Sequence, residues 1–166
     1  MQVKTAMRDY KSDSWVNGQG VFAGRQAFIR KNVSLSQVCK ADYPTGLLIS
    51  LVYHEKKEDG LPSSSDELQR LDTTEESVAD YFCSRFQALF AMCVTADGTR
   101  DIFLYLPGGP AEEQIARAFE ACDVLVDYDF SIQPDPQWHP YSTLLSDPVE
   151  SSSEQSPAMK PWWKVW

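Results

Sequence analysis

The sequence predicts an α+β fold: a β-α-β-β-α-β sandwich with one extra strand at its N-terminal edge. Three features predict it. Residues 47–53 (LLISLVY) form a near-continuous apolar run of strand length, as in a strand buried on both faces. Two stretches, 65–89 and 111–122, repeat apolar residues at helical spacing. Between them, Asp97-Gly98 separates two short apolar runs, a strong signal for a tight hairpin.

Residues 1–19 are polar and irregular, with Trp15 the one large anchor. Asn17-Gly18 or Gln19-Gly20 supplies a turn into a strand over 21–31 (VFAGRQAFIRK), bent at Gly24. Residues 33–41 are a short polar connection. Pro44-Thr45-Gly46 bounds the central strand, and 55–60 is a charged loop. Ser64 followed by Glu67 has capping-box spacing, so the first helix begins near Ser65. Leu68, Leu71, Val78, Phe82, Phe86 and Leu89 make its apolar stripe. A second such pair, Thr73 with Glu76, predicts a kink or break near Asp72. Glu75 falls on the stripe itself. A carboxylate there either reaches solvent from the edge of the packed face or is a buried acid with a perturbed pKa.

Strands at 90–95 and 102–106 flank the Asp97-Gly98 turn. Pro107-Gly108-Gly109-Pro110 is a turn, lacking both the dinucleotide glycine spacing and the Walker lysine. The helix at 111–122 has Glu112 and Glu113 at the positive end of its dipole, and Ile115, Ala118, Phe119 and Cys122 as its stripe. Residues 124–132 alternate as a half-exposed strand. In the closing segment Asp135 is an N-cap and Pro136 a first-turn residue, with Trp138 and Tyr141 covering a sheet edge or helix end.

This order of elements is the split-βαβ, or ferredoxin-like, order. Right-handed crossovers put the 47–53 strand in the centre, between those at 102–106 and 124–132. About five strands result, with both helices on one face. The length and the 43% hydrophobic content suit one domain over 1–148. A serine-rich acidic linker with an aromatic tail follows over 149–166.

The chain carries 24 acidic and 15 basic residues, a formal charge of -9. Such a surface repels phosphate and argues against a nucleic-acid partner. It suits solubility first and a basic partner protein second. No apolar run is long enough for a membrane span, and residues 1–15 lack the apolar core of a secretory signal. Cys39, Cys83, Cys93 and Cys122 have no paired spacing, which fits reduced thiols in the cytoplasm and no metal or other cofactor.

Several motifs together resemble a known family. They are Tyr43-Pro44, the strand at 47–53, Asp59-Gly60-Leu61-Pro62 ahead of the helix, and Thr95-x-x-Gly98-x-Arg100 entering the next strand. They are similar to the bacterial family called domain of unknown function 695. Asp135-Pro136-Gln137-Trp138 with Tyr141 resembles the segment that closes that domain. The likeness covers residues 15–148 and leaves the tail out. It implies no catalytic residue, since the family has none established. The same fold type occurs in the B-type regulator of ribonuclease E activity, which binds and inhibits an enzyme; that is an analogy of fold alone.

His54 and His139 are the only histidines, and neither sits in metal-ligand spacing or with a GxSxG nucleophile. The sequence therefore reads as a non-enzymatic protein-binding module, a bacterial regulator or an immunity-type inhibitor of a partner enzyme. Trp162, Trp163 and Trp166 are its candidate partner anchors, tryptophan being enriched in binding hot spots. The competing reading is a small-ligand binder or enzyme. It would use an aromatic cleft of Trp138 and Tyr141, with His54, His139 or Glu75 as its acid–base group.

Overall fold

Apolar residues fill both faces of β3 (Thr45–Val52). Leu47, Ile49 and Leu51 are fully buried on one side, and Leu48 is buried on the other. The computed structural model describes residues 9–22 and 25–144. In it, β3 lies between β5 (Thr99–Leu106) and β6 (Asp127–Pro134), antiparallel to both. The Asp97-Gly98 turn joins β5 to β4 (Leu89–Ala96). Its residues have φ of 43° and 90°, and positive φ at both is what the type I′ hairpin turn requires. Beyond β4 come β2 (Arg25–Asn32) and β1 (Trp15–Phe22), so the six strands run β1-β2-β4-β5-β3-β6.

Helices cover both faces. From α1 (Ser65–Arg85) and α2 (Glu112–Glu120), the side chains of Leu71, Val78, Phe82, Ile115 and Phe119 meet those of Leu47, Ile49, Leu51, Ile102 and Leu104. On the other face lie α3 (His139–Thr143) and a short 3-10 turn at Val33–Gln37. There Leu35, Trp138, Tyr141 and Leu144 cover Leu48, Met92, Phe103 and Tyr105. Burying a large apolar side chain is worth roughly 1.5–3 kcal/mol, so both layers are needed to hold the sheet.

Local expectations are corrected at several points. Asn17-Gly18 and Gln19-Gly20 are not a turn; they lie inside β1, which Trp15 begins. Gly18 and Gly20 pair with Ile29 and Ala27 of β2, and the sheet gains a sixth strand. Residues 33–41 are more than a polar link, because Leu35 is buried there. α1 is unbroken at Asp72. Next to Thr73, the buried Thr74 accepts the Leu125 amide at 2.9 Å, which ties the helix to the chain entering β6.

Ser64 does cap α1 by accepting the Glu67 amide at 3.1 Å. The Glu67 carboxylate, however, turns to the His54 amide and the Arg70 guanidinium and leaves the box half-made. Leu68 is exposed, and Leu89 belongs to β4. β6 begins at Asp127; Val124 and Val126 pack at the core's margin before it. α3 begins at His139, preceded by Trp138 at φ 52°, and the Asp135 carboxylate reaches the His139 amide from four residues back. Trp162, Trp163 and Trp166 lie outside the described residues.

Candidate functional site

β3 ends at a corner. The chain leaves the sheet through Tyr53 and His54, passes into α1, and a later segment returns beside it to start β6. The corner is an open groove of about 410 Å³. Val52, Val124, Leu125 and Val126 line it with apolar surface; His54, Glu55, Glu67, Arg70 and Asp127 supply its polar groups.

Glu67 organises the groove. Its buried carboxylate accepts the His54 backbone amide at 3.1 Å and pairs with Arg70 one turn along the helix. The His54 Nε2 lies 3.2 Å from Asp127 Oδ2. Both side chains are exposed, so water and salt screen that contact. The Leu125 backbone amide is fixed to Thr74, yet the residue is 49% exposed. The groove thus sets apolar surface beside carboxylates. Chemically it can receive a cationic side chain, with the stem on the aliphatic wall and the charge at the rim.

Glu75 sits elsewhere on α1. It does not reach solvent: it is buried, held by Arg100 Nη1 at 3.0 Å and by Arg30. Arg100 also reaches Asp72 at 2.6 Å and Thr95 at 3.2 Å. These bonds tie α1 to β2 and β5. The Cys93 thiol lies 3.8 Å from Glu75; burial, then the Glu75 charge, pushes it up to about 12. It is an inert thiol there.

Trp138 and Tyr141 occupy the opposite face of the sheet. Trp138 is fully buried, stacked on Tyr105 at 4.4 Å, with its Nε1 donating to the Tyr43 carbonyl at 2.8 Å. The Tyr105 hydroxyl donates to Asp135 at 3.0 Å; burial, then the Asp135 charge, holds that phenol protonated well above its usual range. Tyr141 donates to the Asn32 carbonyl at 2.7 Å. These rings fill the layer under α3 rather than line a cleft, and His139 is exposed at the start of that helix. The five residues of the ligand reading therefore occupy three places: His54 at the groove, Glu75 under α1, and the other three on the far face.

The sequence does not mark Glu67, Arg70, Leu125 and Asp127 as a site. Glu67 showed only as a capping residue and Asp127 only as a polar step in an alternating strand. Among the described residues no three His, Cys, Asp or Glu side chains converge as a metal site, and no helix is long and apolar enough to cross a membrane.

A family model, described as a family of unknown function (DUF695), matches residues 13–146. The chain belongs to that family. The DUF695 match takes in every strand and α-helix from β1 to α3. The corner groove and the Glu75–Arg100 pair are therefore parts of the DUF695 domain itself. No curated protein and no solved structure matches the chain.

Proposed function

We propose that the protein is a non-enzymatic protein-binding module, a regulator or immunity-type inhibitor of a partner enzyme, and that it takes a basic surface of that partner at the corner groove. The observation that carries this reading is the groove's composition: the exposed Leu125, with Val52, Val124 and Val126, beside Glu55 and Asp127. Protein interfaces combine an apolar centre with a polar rim, whereas small ligands are bound in enclosed pockets. A lysine or arginine of the partner lays its methylenes on Leu125 and its charge among the carboxylates. The chain's formal charge of -9 steers such a partner inward.

Within this reading, the β3-α1-β4-β5-α2-β6 unit is ferredoxin-like. The order β4-β5-β3-β6, with α1 and α2 on one face, supports that. Four free cysteines support a reducing, cytoplasmic setting.

A photo-cross-linking residue placed at Leu125 tests the proposal in the native host. The expected result is one protein captured in a 1:1 complex. The same cross-linker at Gln37, on the other face, should capture nothing. Asp127→Lys should weaken the complex at least tenfold without changing the thermal midpoint. Turnover of a small molecule that depends on His54, with no protein captured at Leu125, would overturn the reading.

A further inference from the structure

β1 ends the sheet, and the pattern of its hydrogen bonds can be read from one contact. The Val33 amide donates to the Ser14 carbonyl at 2.9 Å. That pair continues the register that sets Trp15 opposite Asn32 and Gly18 opposite Ile29. Antiparallel pairs alternate between bonded and non-bonded. Val16, Gly18, Gly20 and Phe22 therefore bond inward to β2. Trp15, Asn17, Gln19 and Val21 turn their amides and carbonyls outward. No residue of this strand is charged and none is proline, so the usual guards of an exposed edge are missing. Val16 is 45% and Val21 67% exposed.

We propose that this edge pairs with the same edge of a second copy of the chain, antiparallel about a two-fold axis through Gly18. The register is self-complementary. It sets Asn17 against the partner's Gln19 and Trp15 against the partner's Val21. Each outward-turned residue then meets an outward-turned residue, and each pairing exchanges two backbone bonds. The Asn17 and Gln19 side chains meet amide to amide, while the Trp15 ring stays over Phe90 of its own chain at 5.0 Å and Trp15 meets Val21 through the backbone alone. Gly18 meets the partner's Gly18 in the close, non-bonded position, where the missing Cβ leaves room for the backbones.

Charge does not prevent pairing at this edge. The hairpin from Trp15 to Asn32 holds Arg25, Arg30 and Lys31 and none of the chain's 24 acidic residues. In the dimer the two β2 strands stand about three strand spacings, ~14 Å, apart. That exceeds the Debye length of about 8 Å at physiological salt, so repulsion between hairpins is screened. The surface does not depend on the groove proposed above, which lies at the other edge beside β6.

Sedimentation of the full chain across a concentration series tests this. The wild type should form a dimer. Asn17→Lys with Gln19→Lys places like charges in both central pairings and should weaken the dimer at least about 100-fold. Both side chains are exposed, so the thermal midpoint should hold. Asn17→Lys with Gln19→Glu sets lysine against glutamate twice and should restore the dimer. A wild type that stays monomeric overturns the proposal, even with β1 amides slow to exchange, since a segment of its own chain would then cover the edge. Two double variants that associate alike overturn the register. Neither result touches the groove reading, which fails only on its own cross-link.

Discussion

The two edges of this sheet are built differently. The Asp135 amide donates to the Pro44 carbonyl at 2.8 Å, which fixes the phase of β6: Tyr128, Phe130 and Ile132 turn outward. At that edge Asp127 and Asp129 carry charge, the Asp129 carboxylate accepts the Phe130 amide at 2.8 Å, and Pro134 has no amide. Each device discourages another strand from adding. β1 has none of them over eight residues. One edge is closed to backbone pairing and presents side chains; the other offers its backbone. In the readings proposed above, recognition at β6 runs through side chains at the groove, and recognition at β1 through the main chain.

The largest effect should come from removing the element that both edges depend on. Leu51 is fully buried in β3. Leu51→Asp puts an unpaired charge between sheet and helices and should cost more than about 4 kcal/mol, enough to prevent folding. Circular dichroism and a urea titration would show it; a soluble variant with an unchanged midpoint would contradict the central position of β3.

A smaller and one-sided effect is expected at Glu75. Glu75→Ala leaves the buried Arg100 with the exposed Asp72 as its carboxylate and should cost about 3 kcal/mol, the low end for breaking a buried pair. Because Arg30 of β2 shares that carboxylate, local exchange should rise more in the β1–β2 hairpin than in β6. Uniform destabilisation would show that the cluster does not distinguish the two sides.

The smallest effect on stability should have the clearest effect on association. Asp129→Val with Pro134→Thr removes two guards of β6, leaving Asp127, and should change stability by less than about 0.5 kcal/mol. It should add a second, concentration-dependent association in sedimentation. Sedimentation identical to the wild type would mean that these residues do not protect the edge.

Most of this was legible in part. The central strand, both long helices and the Asp97-Gly98 turn follow from periodicity and turn chemistry, which are local signals. β1 was hidden because its asparagine and glycines carry turn propensity, and only pairing with β2 overrides it. The continuity of α1 was hidden because Thr73 with Glu76 imitates a cap, while Leu71, Val78 and Phe82 hold the helix together by tertiary packing. The groove was least legible. Glu67 and His54 are thirteen residues apart, and the bond between them depends on how the chain folds back after β3.

Amide hydrogen exchange resolved at single residues of β1 and β6, at two protein concentrations, tests the contrast between the edges most directly. The expected result is that Asn17, Gln19 and Val21 slow as concentration rises, while Tyr128 and Ile132 exchange quickly at both. Exchange at β1 that is as fast as at β6, and unchanged by concentration, would contradict it.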